Sequence, residues 1–253
     1  MKPFFKSASA RIVPLLAGLC LTCLDAQATD PRVLNALLDG VFSSHVKDGY
    51  VDYPEIAKNV RFHKYVEALA DADLSALTET DDQIAFWLNV YNALAVKNVT
   101  DGTTPLTTLG RIKFFRRLEH RVAGKKLDLN SIEDKLADFE QPLIRFALVK
   151  ASYASPNLRS GAYRGDGLQR QLEEAARDFV NDRRKNRFSS ALRQAKLSQL
   201  FEWHGGEFGD GDKELLNFIA PYVEKEGITE EIQAGGWKIE YMEFEWSING
   251  RPM

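Results

Sequence analysis

Apolar residues recur at helical spacing over the middle of the chain. Ile84, Trp87, Leu88, Tyr91, Leu94 and Val99 form one stripe, and Thr80-Asp81-Asp82-Gln83 ahead of it reads as a capping box. This helix is expected at the centre of the core. Asn89 and Asn92 are three residues apart and so share a face of it. Upstream, residues 31–77 read as helices broken at Gly49 and Pro54.

Past Pro105 the pattern shortens. Residues 118–122 and 126–129 flank Gly124 as a short hairpin would, and a helix is expected to start near Asn130. The apolar run 143–149 is too short to separate a buried strand from a buried helix. Residues 168–180 form an amphipathic helical pattern, 188–197 read as a returning strand, and two or three helices fit 200–233. Within 237–248, Ile239, Tyr241 and Glu243 alternate with Glu240, Met242 and Phe244, a strand signal. Helices outnumber strands, so the expected class is α+β: a helix-rich single domain with a small, mainly antiparallel sheet.

Residues 1–28 stand apart from this pattern. Lys2, Lys6 and Arg11 precede an apolar stretch at 12–24, and Ala26-Gln27-Ala28 supplies a small-x-small cleavage site, so a secretory signal cut before Thr29 is expected. The apolar stretch is too short for a hydrocarbon core that needs about 20 residues. Both cysteines, Cys20 and Cys23, fall inside it, and a mature chain of 29–253 would carry no thiol. The expectation is a periplasmic or secreted protein folding as one domain without disulfides.

The formal net charge of −3 falls further once three basic residues and Asp25 are removed, which argues against a nucleic-acid partner. The basic clusters at 111–117 and 183–187 read as solvated faces, with an anionic envelope polymer as the other reading. No pattern calls for a cofactor. His45, His63, His120 and His204 lack metal-ligand spacing. Asp210-Gly211-Asp212-Lys213-Glu214 lacks the further ligands of a calcium loop and reads as a turn before a helix.

Several segments together resemble an uncharacterised family, domain of unknown function 547. They are Ala85-Phe86-Trp87-Leu88-Asn89-Val90-Tyr91-Asn92, Gly49-Tyr50-Val51-Asp52-Tyr53, Leu129-Asn130-Ser131-Ile132-Glu133, Phe146-Ala147-Leu148, Ser155-Pro156-Asn157-Leu158, Leu197 to Trp203, and Phe244-Glu245-Trp246-Ser247-Ile248-Asn249. The resemblance implies a papain-like or transglutaminase-like core. It also implies departures where the family looks most chemical. Typical members have His at the positions of Asp134 and Arg145, and Cys at those of Lys150 and Ser155. Arg145 cannot act as a base, being permanently protonated.

The candidate binding residues are therefore Trp87, Asn89, Tyr91, Asn92, Glu133, Arg145, Ser155 and Trp203, each with a structural reading beside the functional one. Trp87 and Tyr91 read as core aromatics or a stacking surface. Asn89 and Asn92 serve either hydrogen bonding to a buried loop or a polar pocket wall. Glu133 reads as the third residue of a helix capped by Asn130, folding back on the cap. Ser155 is the one catalytic candidate, and it needs a base from elsewhere in the fold.

Three functions fit. One is a non-catalytic accessory module binding an envelope peptide, glycan or protein. The second is an acyl-transfer or amide-bond hydrolase using Ser155, or a carboxylate such as Glu133, with a distant histidine. The third is a structural envelope protein.

Overall fold

The helix Thr80–Thr100 is surrounded by other elements, with Ile84, Phe86, Leu88, Val90, Tyr91, Leu94 and Val96 all buried. A surface helix buries one stripe; this one is apolar on several faces and acts as a central strut. The structure, a computed structural model, describes residues 29–250. The expected signal segment 1–28, with both cysteines, lies outside them.

The described chain begins with α1 (Pro31–His45), whose Asp30 cap accepts from the Arg32 amide. A two-residue loop at Asp48 and Gly49, both at positive φ, joins β1 (Val46–Lys47) to β2 (Tyr50–Val51). Paired positive φ values suit a tight hairpin turn. Gly49 is also fixed by space, because an added Cβ would lie 2.5 Å from Asn157 Oδ1. Next come α2 (Tyr53–Ile56), α3 (Val60–Ala68), the central helix as α4, and α5 (Thr108–Arg116).

The expected hairpin around Gly124 forms as β3 (His120–Val122) and β4 (Lys125–Leu127), antiparallel, and leads into α6 (Leu129–Ala137). The ambiguous apolar run is neither α-helix nor strand: Pro142–Phe146 forms a 3-10 turn and the rest is buried irregular chain. After α7 (Leu168–Asn181), β5 (Arg187–Ser189) and β6 (Gln194–Ser198) stand where one strand was expected, because Arg193 at φ 44° helps turn the chain between them. Four short helices follow, α8 (Gln199–Trp203), α9 (Gly205–Phe208), α10 (Asp212–Ile219) and α11 (Ile228–Gln233). The last strand, β7 (Lys238–Met242), pairs parallel to β6, while β5 pairs antiparallel to it. The α+β class holds, with three small sheets among the described residues.

Two expected caps are replaced. Thr80 lies inside α4 behind Glu79, and Gln83 donates to the Leu77 carbonyl at 3.0 Å rather than folding back, because the preceding 3-10 turn presents that carbonyl first. Asp128, not Asn130, caps α6: its Oδ1 accepts from the Ser131 amide at 2.8 Å. Asn130 instead donates to Asp134 at 3.0 Å, and Glu133 is freed from any capping role.

Phe146, Phe179, Phe201 and Phe208 pack with ring centroids 5.4–5.8 Å apart. These four tie the 3-10 turn, α7, α8 and α9 into one core. The rings flank Arg145, Trp203, His204 and Glu207 in sequence, so core packing fixes where those polar side chains emerge.

Candidate functional site

The segment 147–154 is held from two sides. Asn92, buried in α4, donates to the Ala147 carbonyl at 2.9 Å and accepts from the Val149 amide at 3.0 Å. On the other side, Tyr153 and Ala154 donate their amides to the Ser247 and Glu245 carbonyls at 2.7 and 3.1 Å. Between these clamps Ala151 takes φ 51°, a left-handed conformation that an L-residue adopts only when its surroundings enforce it. The consequence is that Lys150 and Trp246 are brought to the same pocket.

Glu133 lies at the pocket floor. Lys150 Nζ contacts both its oxygens, at 3.0 and 3.2 Å, and Arg145 Nη1 donates to Oε1 at 2.8 Å. Arg145 also grips Glu207 with two bonds, at 2.6 and 2.7 Å. The Lys150 and Arg145 side chains are only 10% and 7% exposed, so these pairs work in a medium that screens little. Burial alone would raise the Glu133 carboxyl. The charge and hydrogen bond of Lys150, then the charge of Arg145, outweigh it and hold Glu133 below the ordinary carboxylate range.

His204 completes the floor. Its Nδ1 is 3.2 Å from Glu207 Oε1 and its Nε2 is 3.9 Å from Glu133 Oε1. Burial lowers its pKa, and the positive charges of Arg145 and Lys150 lower it further. A neutral ring beside a carboxylate places its proton on Nδ1, which leaves Nε2 as an acceptor on the Glu133 side.

One wall is aromatic. Trp203 and Trp246 stack at 6.0 Å and 26°, and Phe115 meets Trp246 edge-on at 6.2 Å. Trp203 is 43% exposed, high for an indole that has neighbours to pack against. Asn130 and Asp134 complete a pocket of about 350 Å³. Among the described residues that line it, none carries a hydroxyl or a thiol.

Of the sequence candidates, Glu133, Arg145 and Trp203 meet here. Tyr91 sits behind them, fully buried, with its hydroxyl directed at the Glu133 carboxylate. Burial, then the charge of Glu133, pushes that hydroxyl well above its ordinary pKa. Asn92 acts on the pocket only through the clamp. Asn89 binds a different loop, accepting from the Tyr163 amide at 2.8 Å and donating to its carbonyl at 2.9 Å. Of the two readings for these asparagines, loop hydrogen bonding is the one observed. Trp87 is half-buried against Phe86, with Lys135 over its ring at 5.6 Å.

Ser155 lies apart. It is 1% exposed, its hydroxyl donates to the Ser152 carbonyl at 2.7 Å, and the recess beside it holds about 10 Å³. His45, His63 and His120 are engaged with Asn59, Ala57 and Asn98 respectively.

Sequence reasoning missed Lys150, His204, Glu207, Phe115 and Trp246 as site residues. Two signals were available: Lys150 sits where the resemblance marks a departure, and His204 follows Trp203 directly. A larger cleft of about 880 Å³ between α1 and the start of α4 holds none of the candidates. Its acidic groups are partnered, Asp39 by the Ala162 amide, Asp82 by Arg32 and Asp166 by Arg164. Among the described residues no group of three or more His, Cys, Asp or Glu is arranged to hold a metal, and no helix is long and apolar enough to cross a membrane.

Comparison with known proteins gives one match. A family model described as "Protein of unknown function, DUF547" covers residues 74–180. No curated protein and no solved structure matches the chain. The matched region carries Glu133, Arg145 and Lys150, whereas Trp203, His204 and Trp246 lie beyond it. Over residues 74–180 the chain is similar to the DUF547 family.

Proposed function

We propose that this protein is an exported binding module that holds its ligand in the pocket over Glu133. The observation that carries this reading is the pairing of an aromatic wall with a floor whose ionic groups are already engaged with one another. Small-molecule sites combine apolar lining with a few fixed polar groups in volumes of about 300–1,000 Å³. The pocket is of that kind. Export is supported by the signal-like composition of residues 1–28. The concave form of the site argues against a purely structural envelope role.

The lining also speaks for binding over covalent catalysis. The resemblance implies Cys and His at the positions of Lys150 and Arg145, and here both side chains are occupied with Glu133. Ser155, the other nucleophile candidate, is hydrogen-bonded and closed off.

One observation favours a second reading. Glu207 orients His204 through Nδ1 and leaves Nε2 as an acceptor, the arrangement of a carboxylate-supported general base. In that reading Nε2 takes a proton from a water whose oxygen adds to an acyl carbonyl, and gives that proton to the leaving group as the acyl bond breaks. The experiment is a binding screen of a chemically diverse fragment set against the protein, followed by recovery of each bound compound. Fragments recovered unchanged, with affinity lost in Lys150→Met, support a binding module. Hydrolysed fragments, with turnover lost in His204→Ala, support the second reading instead.

A further inference from the structure

We infer that the ligand of this pocket is a neutral saccharide, an inference that rests on the pocket being a binding site. The first ground is charge. Arg145 and Lys150 are balanced by Glu133 and Glu207, and Asp134 stands at the rim. An anionic ligand would have to displace Glu133 from two cations, and a cationic one would approach Arg145 and Lys150. Taking one partner from a buried pair leaves the other uncompensated and is costly. A neutral ligand disturbs neither.

The second ground is unused hydrogen-bonding capacity. His204 Nε2 lies 3.9 Å from Glu133 Oε1, which already accepts from Arg145 and Lys150, so the free acceptor at this spot is the imidazole nitrogen. Lys150 has three N–H donors and, among the described residues, hydrogen-bonds only to Glu133, and Asn130 also lines the pocket. Mixed donors and acceptors at this spacing match hydroxyl groups, each of which donates one bond and accepts others. A purely apolar ligand would bury the His204 Nε2 acceptor unsatisfied.

The third ground is the wall. Trp203 offers an exposed indole beside Trp246, flat apolar area at the edge of a polar floor. A pyranose ring has the same division, with an apolar C–H face and a rim of hydroxyls. It can lie against Trp203 while its hydroxyls reach His204, Glu133 and Lys150.

The test is a tryptophan-fluorescence and calorimetric titration of the protein with defined trisaccharides of glucose, galactose, mannose and N-acetylglucosamine. Trigalacturonic acid and triglycine serve as anionic and peptide probes. At least one neutral trisaccharide is expected to bind saturably, at least tenfold weaker in Trp203→Ala and severalfold weaker in His204→Gln, with Trp87→Phe unchanged. Circular dichroism verifies that each variant is folded. Binding of trigalacturonic acid or triglycine through Trp203, without any neutral trisaccharide, overturns the saccharide inference and leaves the pocket reading standing. No Trp203-dependent binding by any probe overturns both.

Discussion

Lys150 Nζ sits over the Glu133 carboxylate, 3.0 Å from one oxygen and 3.2 Å from the other, with both side chains largely out of water. The pair joins a chain segment to α6 across the floor of the pocket. Arg145 shares the same carboxylate, so Glu133 is held by two cations at once.

Removing two members of this cluster together should cost less than the sum of removing each alone. Lys150→Met is expected to destabilise by about 3 kcal/mol, since a buried carboxylate is left with one partner fewer. Adding Glu133→Gln to it should cost less than the sum of the single changes, because it removes the charge that was stranded. Urea denaturation of the three variants checks this. Additive losses would show that the two side chains do not depend on one another.

Asn92→Ala should destabilise by roughly 1–3 kcal/mol, because the Val149 amide and Ala147 carbonyl then lose their partner in a dry interior. The same change should weaken ligand binding, since the clamp fixes the segment bearing Lys150. Asn89→Ala should cost a similar amount of stability through Tyr163 and leave binding intact. Denaturation together with binding measurements separates the two roles, and equal binding losses in both variants would contradict the assignment.

Ala151 is buried in a left-handed conformation that costs an L-residue about 1–2 kcal/mol. Ala151→Gly is therefore expected to be neutral or stabilising by up to about 1 kcal/mol, although glycine normally destabilises regular structure. A thermal melt that falls by several degrees would contradict the strain.

Acid should work against the fold in two steps of the same sign. The His204 pKa is held below its ordinary 6.5, so as pH falls through that value the unfolded chain takes up a proton that the folded chain refuses, and stability drops. His120, lowered by burial and by Lys97, contributes in the same direction. Glu133 is held below its ordinary 4.5, so it stabilises above that pH, and its contribution is lost as pH falls toward its folded value. The urea midpoint should decline from pH 7 to 5, and His204→Gln should flatten part of the upper limb. An unchanged slope in that variant would contradict the burial of a neutral imidazole.

Much of the scaffold was legible in the chain. The stripe through Ile84, Leu88, Tyr91 and Leu94 placed the central helix, and Gly124 between short alternating runs placed a hairpin, because both signals come from local periodicity. The caps were less legible. Asp128 and Leu77 outcompeted the expected partners of α6 and α4, and only tertiary placement shows which side chain or carbonyl reaches an open helix end.

The site was half legible. Glu133, Arg145 and Trp203 were found through motifs, but Ser155 was not part of the pocket, since nothing in a Ser-Pro step tells which way the hydroxyl faces. Lys150 lies far in sequence from His204 and Glu207, and both the Asn92 clamp that sets the one and the phenylalanine cluster that sets the others are long-range features.

The most direct test of the pocket uses the four tryptophans of the chain as reporters. Their indole N–H signals, resolved in a ¹⁵N-labelled sample, distinguish Trp203 and Trp246 at the pocket from Trp87 and Trp237 elsewhere. Titration with the fragments that bind should shift the Trp203 and Trp246 signals and leave the other two in place. Shifts confined to Trp87 or Trp237 would contradict the assignment of the ligand site to the pocket over Glu133.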